Sequence, residues 1–219
     1  MTEISKINSN GNIFGVALNY QCLYEKLQAQ FNEKPYLNEP KKPVLFIKTP
    51  NTRNHSNAII VKQKDEILQA GPTIGIVIAK DTIRVKANQA DEYIAGYVVV
   101  NELSLPEESY YRPAIKAKCQ DGFCVIGSVV DKSQVIDLCN LNLKVYVNDE
   151  LKQQGTTANW IRTPTQIIEE ISEYMPLYKG DIILTGTPYG RVNLQNGDEV
   201  RIEIDQLGSV TNTIHEEGK

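Results

Sequence analysis

The stretch Glu199-Val200-Arg201-Ile202-Glu203-Ile204 decides the fold class. Its apolar residues alternate with charged ones, so an extended chain here has one dry face and one wet face. That pattern belongs to an antiparallel sheet packed on one side. A parallel sheet, covered on both faces, would show a continuous apolar run. Asn196-Gly197-Asp198 just ahead is a turn that opens the strand, and Lys179-Gly180-Asp181 opens another. Leu143, Val145 and Val147 repeat the alternation. Upstream, residues 13–18, Val44–Lys48, Ala58–Lys62, 74–79 and a run starting at Tyr97 read as strands from their β-branched content.

Helical signals are few. Thr163, Pro164 and Gln166 have the spacing of an N-cap, a first helical residue and a capping-box partner. Ile167, Ile168, Ile171 and Met175 follow at helical spacing, which predicts a helix over 164–174 with one buried face. Gln21–Phe31 reads as a modest helix and 87–93 as a short one. Residues 33–43, with three prolines, read as a loop. The expectation is one mixed-sheet α+β domain over 13–219, rich in β structure and poor in helices, behind a flexible tail at 1–12.

Charge and composition exclude several classes. The 219 residues carry 23 basic and 27 acidic side chains, a net charge of -4, which argues against a basic face for nucleic acid. The longest apolar run, 94–100, falls far short of the roughly 20 residues that span a bilayer. Residues 1–12 lack the apolar stretch of a signal peptide. A soluble, cytoplasmic protein is expected. The four cysteines at 22, 119, 124 and 139 form no Cys-x-x-Cys pair, and the histidines are His55 and His215, so a structural zinc site is not offered. Reduced, mostly buried thiols are expected.

Three segments can carry chemistry. Leu184-Thr185-Gly186-Thr187-Pro188-Tyr189-Gly190 is a tight loop after a strand, whose N–H groups and hydroxyls can hold an anionic or carbonyl oxygen. It reads equally as a plain turn, and it lacks the Gly-Lys-Ser/Thr of a phosphate loop. Residues 110–123 set three cations among aromatic side chains. There Arg112 can grip a carboxylate with a bidentate fork and Lys118 can act as a point charge, or the segment is a solvated basic loop. Residues 151–157 offer Gln153, Gln154, Thr156 and Thr157, which can orient a ligand or finish a surface strand.

Taken in order, Tyr93-Ile94-Ala95-Gly96-Tyr97, Tyr111-Arg112-Pro113 with Lys118 and Asp121-Gly122, Gln153-Gln154-Gly155-Thr156-Thr157, and Gly180-Asp181 followed by Thr185-Gly186-Thr187-Pro188-Tyr189-Gly190 resemble the fumarylacetoacetate hydrolase family. The likeness runs from about 13 to 214. Within the family, the run from Asn101 to Gly127 is similar to the amino-terminal half of the two-part isomerase/decarboxylases of homoprotocatechuate (4-hydroxyphenylacetate) breakdown.

The resemblance implies a β-rich fold, a dimer or a hetero-oligomer with a paired family subunit, and Mg2+ or Mn2+ acting as a Lewis acid on a small dicarboxylic 2-oxo acid. It implies decarboxylation of 5-oxopent-3-ene-1,2,5-tricarboxylate and isomerisation of 2-hydroxyhepta-2,4-diene-1,7-dioate. By resemblance, Lys118 offsets substrate charge, Gln154 and Thr187 contact the ligand, and Tyr20 and Arg112 line the cleft. The metal positions depart from the family's Glu-x-Glu and Asp. They are Gly71, Thr73 and Glu102, and Leu23 stands where an acid/base His is common. The expectation is weak or no activity in the isolated chain, with the missing carboxylates supplied by a paired chain. Two alternatives are a pseudo-catalytic structural or ligand-sensing member, and an independent hydrolase or decarboxylase of small 2-oxo acids.

Overall fold

A computed structural model describes residues 11–107 and 109–218. In chain order, β1 (Ile13–Ala17) leads into α1 (Gln21–Phe31), then β2 (Val44–Lys48), β3 (Arg53–His55), β4 (Ala58–Lys62), β5 (Leu68–Gln69) and β6 (Pro72–Ile78). The short α2 (Ala87–Ala90) precedes β7 (Ile94–Glu102), and α3 (Ile115–Lys118) precedes β8 (Cys124–Asp131). The second half runs β9 (Asn142–Val147), β10 (Glu150–Thr156), α4 (Pro164–Ser172), β11 (Ile182–Leu184), β12 (Asn193–Leu194), β13 (Glu199–Ile204) and β14 (Gly208–Glu216).

Two larger sheets result. One has seven strands in the order β2-β1-β11-β6-β7-β8-β3, the other five in the order β10-β9-β13-β14-β4; β12 and β5 form a separate pair. As the alternation at 199–204 predicts, β13 pairs antiparallel with β9 and with β14. Parallel pairs occur as well, β1 with β11, β3 with β8 and β4 with β14, so both larger sheets are mixed. Their inner faces meet in one apolar cluster that includes Ile74, Ile76, Val99, Val145, Ile202 and Val210. Inside that contact Asn101 Nδ2 donates to Asn212 Oδ1 at 2.8 Å, a buried polar link between the sheets.

The α4 capping box forms: Thr163 Oγ1 accepts from Gln166 N, and Gln166 Oε1 accepts from Thr163 N at 2.8 Å. Such a cap contributes about 1 kcal/mol. The helix buries Ile167, Ile168 and Ile171 and ends at Ser172, two residues before the expected stop. The expected helix over 87–93 is split, with α2 giving way to a tighter 3-10 turn at Asp91–Tyr93.

Two expectations are corrected. Residues 1–10 of the expected tail lie outside the described residues, but Gly11 and Asn12 are tied to the fold. Asp181 Oδ1 accepts from Asn12 N at 2.6 Å, Ile182 N donates to Asn12 O at 2.9 Å, and Arg53 donates to Gly11 O. The thiols are all free, yet only Cys124 is buried; Cys22 and Cys139 are exposed and Cys119 is intermediate. Cys22 lies at the start of α1, a helix whose only buried residue is Phe31, and Cys139 in a surface 3-10 turn. Among the described residues no helix is long and apolar enough to cross a membrane.

Candidate functional site

The start of β6 and the end of β7 lie side by side, with Pro72 opposite Asn101 and Thr73 opposite Val100. The loop leaving β11 crosses beside them. Thr185 is pinned there twice, its N and Oγ1 both donating to Ile74 O at 2.9 and 3.1 Å. Asn19 Nδ2 donates to Thr185 O at 3.0 Å and to Arg162 O at 3.1 Å, which ties this loop to the residues after β1. Gly186 follows at φ +99°, and a Cβ on it would come within 2.7 Å of Val16 O, so only glycine meets both demands. These elements enclose a cavity of about 320 Å³. Leu23, Phe46 and Tyr189 give it apolar walls, and Thr73, Glu102, Lys118, Thr187 and Arg191 give it polar ones.

Glu102 is the electrostatic centre. Its carboxylate is 1 % exposed, and a buried carboxylate is costly unless paired. Three cations converge on it. Lys48 Nζ stands 2.8 Å from Oε1 and Lys118 Nζ 3.1 Å from Oε2, while Arg191 Nη2 donates to Oε2. Burial pushes the Glu102 carboxyl upward, but Lys118, Lys48 and Arg191 outweigh it and hold the group well below the usual carboxylate range. Lys48 Nζ also donates to the carbonyls of Leu103, Lys118 and Phe123 at 2.7 to 2.9 Å. Burial lowers the Lys48 ammonium, against the pull of Glu102. Lys118 Nζ has a second carboxylate, Glu107 Oε2, at 2.9 Å, and sits 4.4 Å from the centre of the Phe46 ring. The cluster therefore holds three cations against two carboxylates, a net charge of +1 that favours an anion. Tyr110, also on the wall, has its phenol pushed up to about 12 by burial and by Glu107, so at neutral pH it is protonated.

The structure brings together some of the expected residues. Lys118, Thr187, Glu102, Thr73 and Leu23 all line the cavity. Three others are corrected. Tyr20 is fully buried outside the cavity, its ring edge-on to Trp160 at 6.4 Å. Arg112 is exposed on the loop before α3 and does not line the cavity. Gln154 is exposed, and its neighbour Gln153 turns inward to donate to Pro188 O at 3.3 Å and Tyr189 O at 3.1 Å. A register shift between Leu151 and Gln153 decides which glutamine faces the loop.

Sequence reasoning also missed Lys48 and Arg191. Lys48 ends an otherwise apolar strand, and nothing local marks it as buried. Arg191 directly follows the Thr185–Gly190 motif, and that adjacency was the available signal.

The metal implied by the family needs oxygen ligands, mainly carboxylates. Both oxygens of Glu102 already accept from cations. A divalent ion about 4 Å from any one of them is repelled by roughly 8 kcal/mol at an effective dielectric near 20. Position 71 has no room for a ligating side chain, because a Cβ on Gly71 would fall 2.1 Å from Glu102 O and 2.5 Å from Arg191 Nη1. Thr73 offers only a neutral hydroxyl. Among the described residues no group of three His, Cys, Asp or Glu is placed to hold an ion. The residues present do not fit Mg2+ or Mn2+.

Comparison with known proteins places this geometry. The 4-hydroxyphenylacetate degradation bifunctional isomerase/decarboxylase of Salmonella dublin is 41% identical over 205 residues, covering 93% of this chain and 47% of that protein. The chain thus spans about half the length of the curated relatives it matches. The crystal structure of 2-hydroxyhepta-2,4-diene-1,7-dioate isomerase from Mycobacterium marinum superposes with a TM-score of 0.80 at 30% identity, covering 95% of this chain and 76% of that one. Maleylpyruvate hydrolase from Sphingobium sp. SYK-6, solved with manganese(II) and pyruvate, shares the fold with a TM-score of 0.77 at 24% identity, covering 94% of this chain and 70% of that one. The family model described as fumarylacetoacetate (FAA) hydrolase C-terminal matches residues 12–215. The chain belongs to the fumarylacetoacetate hydrolase family.

Proposed function

We propose that this chain forms one half of a two-part decarboxylase/isomerase acting on 5-oxopent-3-ene-1,2,5-tricarboxylate and 2-hydroxyhepta-2,4-diene-1,7-dioate. A paired family subunit holds the Mg2+ or Mn2+. The observation that carries this reading is the pair of cations, Lys118 and Arg191, on the cavity wall, set in a fold that matches half of the bifunctional relatives. In this reading Lys118 and Arg191 hold the anionic end of the oxo-acid, and Thr187, which accepts from Arg191 Nη2 at 3.3 Å, keeps the guanidinium aimed inward. Gln153 braces the loop that carries Thr187, and Leu23, Phe46 and Tyr189 keep water off the apolar part of the ligand. Fixed positive groups in a dry cleft also stabilise charge that develops on a bound oxo-acid.

Turnover of both substrates by the chain alone, by the paired subunit alone and by their mixture tests the proposal. With Mg2+ present the isolated chain is expected to show little turnover, and the mixture should co-elute on size exclusion and exceed the paired subunit alone. Two non-interacting species would favour a second reading, a ligand-sensing family member without catalysis. The cation-saturated Glu102 also accommodates that reading. Robust chelator-sensitive turnover by the isolated chain would refute both.

A further inference from the structure

The cleft's fifth charged group, Arg191, has no counterpart among the expected site residues, and its surroundings point to a specific use. Its guanidinium carries five N–H donors. Nη1 donates to Glu102 O at 2.8 Å, and Nη2 donates to Glu102 Oε2 and to Thr187 Oγ1. Among the described residues Nε–H and one hydrogen on Nη1 find no partner. The side chain is 17 % exposed and lies on the cavity wall, so those donors are held in place but not sealed off. Thr73, which also lines the cavity, is fully buried, and its Oγ1 finds no partner among the described residues. A buried hydroxyl without a partner costs free energy that a ligand oxygen recovers. An unsaturated guanidinium and an unsatisfied hydroxyl lining one cavity, with Lys118 beside them, are donors for a carboxylate.

We propose that the cleft binds a carboxylate of a small 2-oxo-dicarboxylate directly on Arg191, with the Thr73 hydroxyl as a second contact, and with no divalent ion between protein and ligand. The inference rests on the reading that the cleft holds an oxo-acid, and it specifies how. Arg191 supplies the positive charge that an ion would bring, and it does so from the space a side chain at position 71 would need. With both Nη2 hydrogens committed to Glu102 and Thr187, the Nε–H and the remaining Nη1–H each offer the ligand a single charge-assisted hydrogen bond, and the guanidinium neutralises its charge.

Calorimetric titration of the full chain with 2-oxoglutarate, once with EDTA and once with excess Mg2+, tests the proposal. Binding should agree within about twofold between the two conditions and weaken by about tenfold or more in Arg191→Gln, a loss of roughly 1.4 kcal/mol. Thr73→Val keeps the side-chain shape and removes only the hydroxyl. It should weaken binding several-fold, and it carries the test if Arg191→Gln does not give a cooperative melt.

Binding seen only with Mg2+ would overturn the proposal and leave the oxo-acid cleft standing. Metal-independent binding that neither variant weakens would place the ligand elsewhere and also overturn it. Absence of binding in both conditions would overturn it too, while the two-subunit turnover assay judges the broader function on its own.

Discussion

Arg191 occupies the room next to Gly71: its Nη1 lies 2.5 Å from where a Cβ on that glycine would sit. The same Nη1 donates to Glu102 O at 2.8 Å, the oxygen that such a Cβ would strike at 2.1 Å. A side chain at position 71 and the Arg191 guanidinium therefore compete for one space. The glycine makes way, and the guanidinium fills the space.

Substitution at Gly71 should accordingly be costly. Gly71→Ala drives the new Cβ against the Glu102 backbone, and overpacking of this kind costs about 1–3 kcal/mol. The double change Gly71→Glu with Thr73→Glu should lose stability further and gain no Mg2+ affinity while Arg191 remains. Urea unfolding and Mn2+ titration followed by electron paramagnetic resonance check the two halves. A well-folded double variant with tight Mn2+ binding would show that strand β6 yields more easily than its contacts imply.

Glu102→Gln removes the carboxylate shared by Lys48, Lys118 and Arg191. Breaking a buried pair from one side leaves uncompensated charge and costs about 3–5 kcal/mol. The midpoint of urea unfolding at neutral pH should fall accordingly. A change under about 1 kcal/mol would mean that water reaches the cluster.

The same residue sets an acid limit. Burial alone would raise the Glu102 carboxyl above its ordinary 4.5, but the three cations win and hold it below. The folded state therefore binds fewer protons than the unfolded state once pH falls below about 4.5. The stabilisation is complete above that pH and is lost as pH drops toward the lower folded value. Unfolding free energy measured from pH 6 downward should show this loss, and Glu102→Gln should remove that residue's share of it.

Gln153 and Gln154 separate the two faces of β10. Gln153→Ala deletes two donors to the loop carbonyls of Pro188 and Tyr189 and should cost about 1–3 kcal/mol. Gln154→Ala, on the exposed face, should stay within about 0.5 kcal/mol. Thermal melts of the pair decide it, and a larger loss for Gln154→Ala than for Gln153→Ala would indicate the opposite register.

Thiol reactivity should follow burial. The exposed Cys22 and Cys139 are expected to react with Ellman's reagent in the native protein. Cys124 should react only after denaturation, because burial pushes its thiol up to about 12 and closes access. Native labelling of Cys124 would indicate local opening of β8.

Much of the fold was legible in short windows. The alternation at 199–204, the capping box at Thr163 and Gln166, and the bounds of α1, β2 and β4 each depend on neighbours within a few residues. Family membership was legible from the order of the motifs, and Lys118 and Thr187 line the cavity. Tyr20, Arg112 and Gln154 do not. Side-chain direction at those positions depends on a core contact with Trp160, on where the loop before α3 lies, and on an irregularity in β10.

By itself the sequence determined the strand-rich α+β class, the main helix and its cap, and the family, because local periodicity and the order of the motifs suffice for these. Only the tertiary structure decided which charges surround Glu102. Lys118 and Arg191 stand 16 and 89 residues from Glu102 in the chain. Coulomb attraction depends on separation in space, and only the packed sheets bring those charges within contact of one carboxylate.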